Sequence, residues 1–164
     1  MTEQDIPLWQ HWSEKSYVKE AWFFEGYETK DDIYRKVAGN GYCYPFIVEI
    51  DDKPIGYIQC CDLYAYRNLC ENPKGCFTQE DPGTFCLDIF IGEEAYLNKG
   101  YGTLIIKQFT DKIINEFNGK LILIDPESTN YRAINCYKKA GFEFVKIEND
   151  GTYNWHIMKY TRPK

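Results

Sequence analysis

Ile105, Phe109, Ile113 and Phe117 recur every four residues between two strand-like runs, and this arrangement constrains the fold more than any other feature of the chain. The first run, Thr84 to Ile91, alternates strictly: Phe85, Leu87, Ile89 and Ile91 share one face, and Cys86, Asp88 and Phe90 the other. The second, Leu121-Ile122-Leu123-Ile124, is continuously apolar, as a strand covered on both faces should be. A helix from Tyr101 to Phe117 with one apolar stripe joins them. Together they predict a parallel strand–helix–strand unit at the centre of a mixed α/β sheet.

The flanking segments complete that plan. Pro7 to Gly39 reads as two short helices carrying Trp9, Trp12, Tyr17, Val18, Trp22 and Phe23, with Thr29 capping the second ahead of Asp31-Asp32. A hairpin follows, Tyr44 to Ile50 and Pro54 to Cys61 around Asp51-Asp52-Lys53. Asp62 to Gly83 has no clean period and reads as a long loop with a short helix, a length that points to function. Asn130 to Ala140 is a second helix stopped by Gly141. Phe142 to Glu148 and Thr152 to Tyr160 form a last hairpin around Asn149-Asp150-Gly151.

With 164 residues and no linker-like tract, the expectation is one domain over residues 1–164. A net charge of −6 argues against nucleic acid, which wants a basic surface, and favours cationic ligands. Seven cysteines, an odd count without a C-x-x-C spacing, read as free thiols in a reducing cytoplasm. With only His11 and His156 to supply imidazole, no metal site is expected. The polar start Met1-Thr2-Glu3-Gln4-Asp5 does not resemble a secretory signal, and no run has the length of a membrane span. The chain should act without a membrane, as a monomer or homodimer.

Chemistry concentrates in two segments. In Asn98-Lys99-Gly100-Tyr101-Gly102-Thr103, two closely spaced glycines let the backbone turn and approach a ligand just where a helix begins. Free N–H groups and the positive dipole end make such a place an anion site. The second segment, Asp125 to Phe142, contains Asn130, Ala133, Tyr137, Lys139, Gly141 and Phe142 in an N-x-x-A-x-x-x-Y-x-K-x-G-F pattern. Together, in this order, the two motifs resemble the GNAT N-acetyltransferase superfamily over about Tyr44 to Tyr160. Leu97 departs from the Gln or Arg often found three residues before the first glycine. Within the superfamily the chain is most similar to aminoglycoside 6′-N-acetyltransferases, on Pro54 to Gln59, Glu80-Asp81-Pro82-Gly83, the strand holding Asp88, and the second motif.

That resemblance implies a mixed, splayed central sheet flanked by helices, and acetyl-CoA as acetyl donor. Gly100, Gly102 and Thr103 would hold its pyrophosphate, with Lys99 and Tyr101 beside them. Leu87 to Ile91, including Ile89 and Ile91, would splay from the strand starting at Leu121 and pair with the pantetheine arm. Asn130 and Ala133 would line its other side, and Tyr137 would stand near the sulfur. Asp88, Gln59 and Asp125 would face a primary amine, with Trp22 and Tyr34 walling the pocket. A carboxylate beside an ammonium attracts it and can accept its proton, and a phenol can donate to a departing thiolate; these are the roles implied for Asp88 and Tyr137. Each residue also has a purely structural reading: Asp88 as a carboxylate satisfied by amides, Tyr137 as a core aromatic, Asp125-Pro126 as a turn. The acceptor class is a cationic small molecule, an aminoglycoside among them. The rivals are a siderophore precursor, a polyamine or a protein N-terminus as acceptor, and a non-catalytic acyl-CoA-binding module.

Overall fold

The computed structural model describes residues 1–22 and 28–161, so Phe23 lies outside it. After a 3₁₀ turn at Glu3–Asp5 come α1 (Ile6–Ser13), α2 (Ser16–Trp22) and α3 (Lys30–Ala38). Two helices therefore stand before Thr29, where one was expected. A helix advances about 100° per residue, so Trp9 and Val18 would point to opposite sides of a continuous rod. The break at Glu14-Lys15 lets both enter one cluster with Trp12, Trp22, Tyr57 and Phe90. Thr29 caps α3 through a reciprocal capping box: its backbone N–H donates to Asp32 Oδ2 at 2.8 Å, and Asp32 N–H donates to its hydroxyl at 3.3 Å. Gly39, at φ 92°, ends the helix in the left-handed region.

Strands β1 (Cys43–Ile50) and β2 (Lys53–Asp62) form the first hairpin. Its turn is Asp51-Asp52, both at positive φ (49° and 59°), with Lys53 already paired to Ile50. The long stretch after it contains α4 (Leu63–Leu69), whose N-cap Asp62 accepts from the Ala65 N–H at 2.9 Å. Then follow β3 (Thr84–Ile91), α5 (Tyr101–Glu116), β4 (Leu121–Ile124), α6 (Tyr131–Ala140), β5 (Glu143–Asn149) and β6 (Asn154–Thr161).

The six strands run in the order β1-β2-β3-β4-β6-β5, and the β3–β4 pair is parallel, as the sequence predicts. That pairing covers only Thr84↔Leu121, Phe85↔Ile122 and Cys86↔Leu123. Beyond Cys86, β3 stays paired to β2 as far as Ile91 but leaves β4. This splay is the geometric origin of the site. One sheet face packs on α5 and α6 through Ile58, Leu87, Ile106, Ile113, Ile122 and Met158. The other carries the N-terminal helices, and Leu63, Phe77, Leu123 and Ile157 form a smaller cluster.

The expectation of free thiols throughout is corrected. Cys43 and Cys61 are joined by a disulfide across β1 and β2, 18 residues apart in sequence. Their pairing follows from register. Asp62 N–H donates to Tyr42 O at 2.8 Å one step further along, which makes 43–61 a non-hydrogen-bonded pair with closely set side chains. Cys60, Cys70, Cys76, Cys86 and Cys136 are free thiols. Among the described residues, no helix is long and apolar enough to cross a membrane.

Candidate active site

The cavity opened by the splay has a volume of about 840 Å³. All of Leu87 to Ile91 line it, because β4 no longer covers that edge of β3. Backbone groups without a strand partner seek another, and an amide-bearing chain laid along β3 would supply one.

At one side lies the glycine loop. Gly100 is the N-cap of α5 and has φ 85°, a conformation costly for a residue with a Cβ. A Cβ on Gly102 would meet Cys136 Sγ at 3.2 Å, so glycine here keeps α5 close against α6. Thr103 Oγ1 and Cys136 Sγ are 3.3 Å apart across the same contact. The first-turn N–H groups of α5 have no intrahelical acceptor and favour an anion. Leu97, Asn98, Gly100, Gly102 and Thr103 line the cavity, while Lys99 and Tyr101 do not. Arg132 and Lys139, one face of α6 two turns apart, add positive charge to the lining.

Asn130 both lines the cavity and caps α6, accepting from the Ala133 N–H at 3.1 Å. Ala133 and Tyr137 follow on the same face. The Tyr137 ring is 8% exposed and packs edge-on against Phe142. Burial first, then the charge of Asp88, pushes its phenol well above the usual range, so it holds its proton at neutral pH.

The acidic part of the cavity contains Asp88, on the open edge of β3, and Asp125, just past the end of β4. Gln59 lies behind them and donates from Nε2 to Asp88 Oδ2 at 2.9 Å. Burial raises the Asp88 carboxyl, against the opposing pull of Gln59 and Lys36. Burial and the neighbouring Asp88 raise Asp125 to about 7. Trp22 lines the cavity as expected of a wall. Tyr34 does not: it is 42% exposed on the outer side of α3, with the Lys30 ammonium 5.8 Å from its ring centre.

The long stretch before Gly83, whose length pointed to function, reaches the cavity through Lys74, Gly75 and Cys76; its polar residues Asn68, Glu71, Glu80 and Asp81 do not line it. The last hairpin adds a part of the lining that sequence reasoning missed: Glu148, Asn149, Asp150, Tyr153 and Trp155. Asp150 accepts from the Thr152 and Tyr153 N–H groups at 2.8 Å each and from Trp155 Nε1 at 2.7 Å. Those backbone donors, with the indole, hold its carboxyl below the usual range. The available signal was two aromatics and two acids crowded at one hairpin tip, more than a solvated turn needs.

The raised Asp125 carboxyl has a consequence for stability. A carboxyl held near 7 in the folded chain, against 3.8 otherwise, contributes fully below pH 4 and loses that contribution as pH rises toward 7. Asp125→Asn should therefore melt higher than wild type at pH 8, by about 1–3 kcal/mol or several degrees, and equal to it near pH 4. Thermal unfolding at both pH values, without ligands, checks this.

Comparison with known proteins agrees with this geometry. A family model described as an acetyltransferase (GNAT) domain matches residues 1–149. An aminoglycoside N(6')-acetyltransferase type 1 from Klebsiella pneumoniae is 29% identical over 148 residues, 87% of this chain and 71% of that protein. A kanamycin resistance protein from Rhizobium radiobacter is 37% identical over 65 residues, 40% of this chain and 60% of that one. The crystal structure of aminoglycoside acetyltransferase AAC(6')-Ib with coenzyme A and kanamycin superposes with a TM-score of 0.83 at 28% identity, covering 99% of this chain and 92% of that one.

Proposed function

The chain belongs to the GNAT acetyltransferase family, and on that premise we propose that it transfers the acetyl group of acetyl-CoA directly to the 6′-amine of an aminoglycoside. The observation that carries this reading is one cavity with two kinds of lining. Glycine-loop amides, Arg132 and Lys139 suit an anionic donor; Asp88, Asp125, Glu148 and Asp150 suit a polycationic acceptor. Relatives whose names specify aminoglycosides and kanamycin support the same acceptor class.

In this reading the first turn of α5 binds the pyrophosphate and the open edge of β3 pairs with the pantetheine arm. Both anchor the donor, leaving its thioester near Tyr137. An ammonium has no lone pair to attack with, so a proton must leave first. Asp88, raised by burial and oriented by the Gln59 amide, accepts it, and Asp125 lies beside it to pass the proton onward. The amine nitrogen then bonds to the acetyl carbon, the carbon–sulfur bond breaks, and the Tyr137 phenol donates to the leaving sulfur, while the second proton shed by the nitrogen replaces the one the phenol gave. Acetyl-CoA and the ammonium give acetamide, CoA thiol and one proton. Acetyl-CoA is a cytoplasmic metabolite, so this reading takes the cytoplasm as the place of reaction.

Two tests follow. Thiol release from acetyl-CoA is measured with an aminoglycoside, spermidine and a peptide N-terminus. Turnover should favour the aminoglycoside by at least about tenfold in kcat/KM; preference for another amine, or binding without turnover, rejects the reading. Tyr137→Phe should lower kcat about 10- to 100-fold with the KM for acetyl-CoA nearly unchanged, as steady-state kinetics would register, because the lost contact acts on the leaving group.

A further inference from the structure

Polar architecture continues behind the cavity wall. Gln59, whose Nε2 donates to Asp88, accepts at Oε1 from the Tyr57 hydroxyl at 2.9 Å and from Lys36 Nζ at 2.7 Å. Lys36 is ion-paired with Glu28, and Glu28 Oε2 accepts from Trp22 Nε1 at 2.9 Å. The Lys36 and Glu28 side chains are only 13% and 3% exposed, and neither residue lines the cavity.

A carboxamide can face a neighbour with either end. Two donors on Oε1 decide the matter here: the oxygen must stay with Lys36 and Tyr57, so Nε2 must face Asp88. A donor aimed at a carboxyl is best met by a lone pair of the ionised form. An ammonium on the amide oxygen also polarises the amide and strengthens that donation. Stability alone does not account for the pair, since desolvating two ions costs several kcal/mol and an apolar side chain packs as well.

We infer that Lys36 is a positioning residue for acetyl transfer: anchored by Glu28, it fixes the Gln59 amide and thereby holds Asp88 as an oriented carboxylate. The inference rests on the reading of Asp88 as proton acceptor. Asp88 interacts electrostatically with Tyr57 and, through the sheet, Cys60 of β2, with Cys86 of its own strand, with Asp125 beyond β4, and with Tyr137 of α6. Glu28, just before the N-cap of α3, and Lys36, on that helix, act on it from the same side, with Lys36 supplying the cation of this set.

Carbon-13 NMR of aspartate side chains tests it on the ligand-free chain, with the Asp88 signal identified by its loss in Asp88→Asn. Lys36→Met should raise the Asp88 titration midpoint by about one pH unit or more, and Lys36→Arg should leave it within a few tenths. The acid limb of the kcat/KM profile should move by the same amount, so the loss of activity is largest on the acid side and shrinks at alkaline pH. An unmoved midpoint in a Lys36→Met chain that still unfolds cooperatively overturns the inference. So does an equal loss of activity at every pH. If Lys36→Met does not fold, Lys36→Gln carries the same expected direction and the same overturning result. The midpoint does not depend on turnover. A moved midpoint with an unmoved rate limb would leave the hold of Lys36 on Asp88 standing and strike Asp88 as the base.

Discussion

Asparagine at position 88 is expected to lower kcat about 100- to 10,000-fold while calorimetry finds acetyl-CoA bound as tightly as before. Asn keeps the size of the side chain and can still accept from Gln59 Nε2, so packing at the open edge of β3 is undisturbed. What disappears is the charge that draws an ammonium and the lone pair that takes its proton. The KM for the acceptor should therefore rise alongside the fall in kcat. Residual turnover would come from Asp125, which lines the same cavity and stays raised by burial after the Asp88 charge is gone. The double variant should fall below either single one by less than the product of their effects, because both act on one proton. A normal kcat in Asp88→Asn would remove Asp88 from the chemistry.

Trp12→Ala should produce the largest loss of stability, about 3–5 kcal/mol, seen as a fall of about 10 °C in thermal unfolding. The indole is fully buried, and its Nε1 donates to Glu93 Oε1 at 2.6 Å. It fills the space over Gly92 so closely that a Cβ there would lie 2.2 Å from the ring. Lys15 Nζ and the Tyr17 hydroxyl both donate to Gly92 O, at 2.7 and 2.6 Å. The N-terminal helices thus clasp the chain where β3 leaves the sheet toward the glycine loop. Loosening that clasp frees Tyr17, Val18 and Trp22, which line the cavity. Activity in Trp12→Ala should fall even at temperatures where the chain remains folded.

Local signals explain what was legible in the sequence. Strict alternation gave Thr84–Ile91 its bounds, and the four-residue stripe gave all of α5 with one residue too many, Phe117 being its C-cap, because burial period is a local property. Thr29, Gly39, Asn130 and Gly141 act as caps where their chemistry places them. The glycine loop opens onto the cavity because a strand–helix–strand unit has one way to return to its sheet, and α6, following β4, packs beside α5 and brings Tyr137 to the same cavity. What stayed hidden depends on long-range placement. The Cys43–Cys61 bridge needs the hairpin register, and the α1–α2 break answers a demand from Tyr57 and Phe90. Lys36 and Glu28 carry no local pattern that marks them in the sequence; only the fold sets them behind Asp88. Tyr34, two residues before Lys36, turns about 200° away from it on the same helix and faces solvent.

The most direct measurement incubates the chain with acetyl-CoA and kanamycin, counts the CoA thiol released, and locates the new acetyl group by mass spectrometry and NMR. The account predicts equal amounts of thiol and a monoacetylated product carrying the acetyl group on the 6′-nitrogen. Acetyl-CoA bound without thiol release, or acetylation at a different nitrogen, would contradict it.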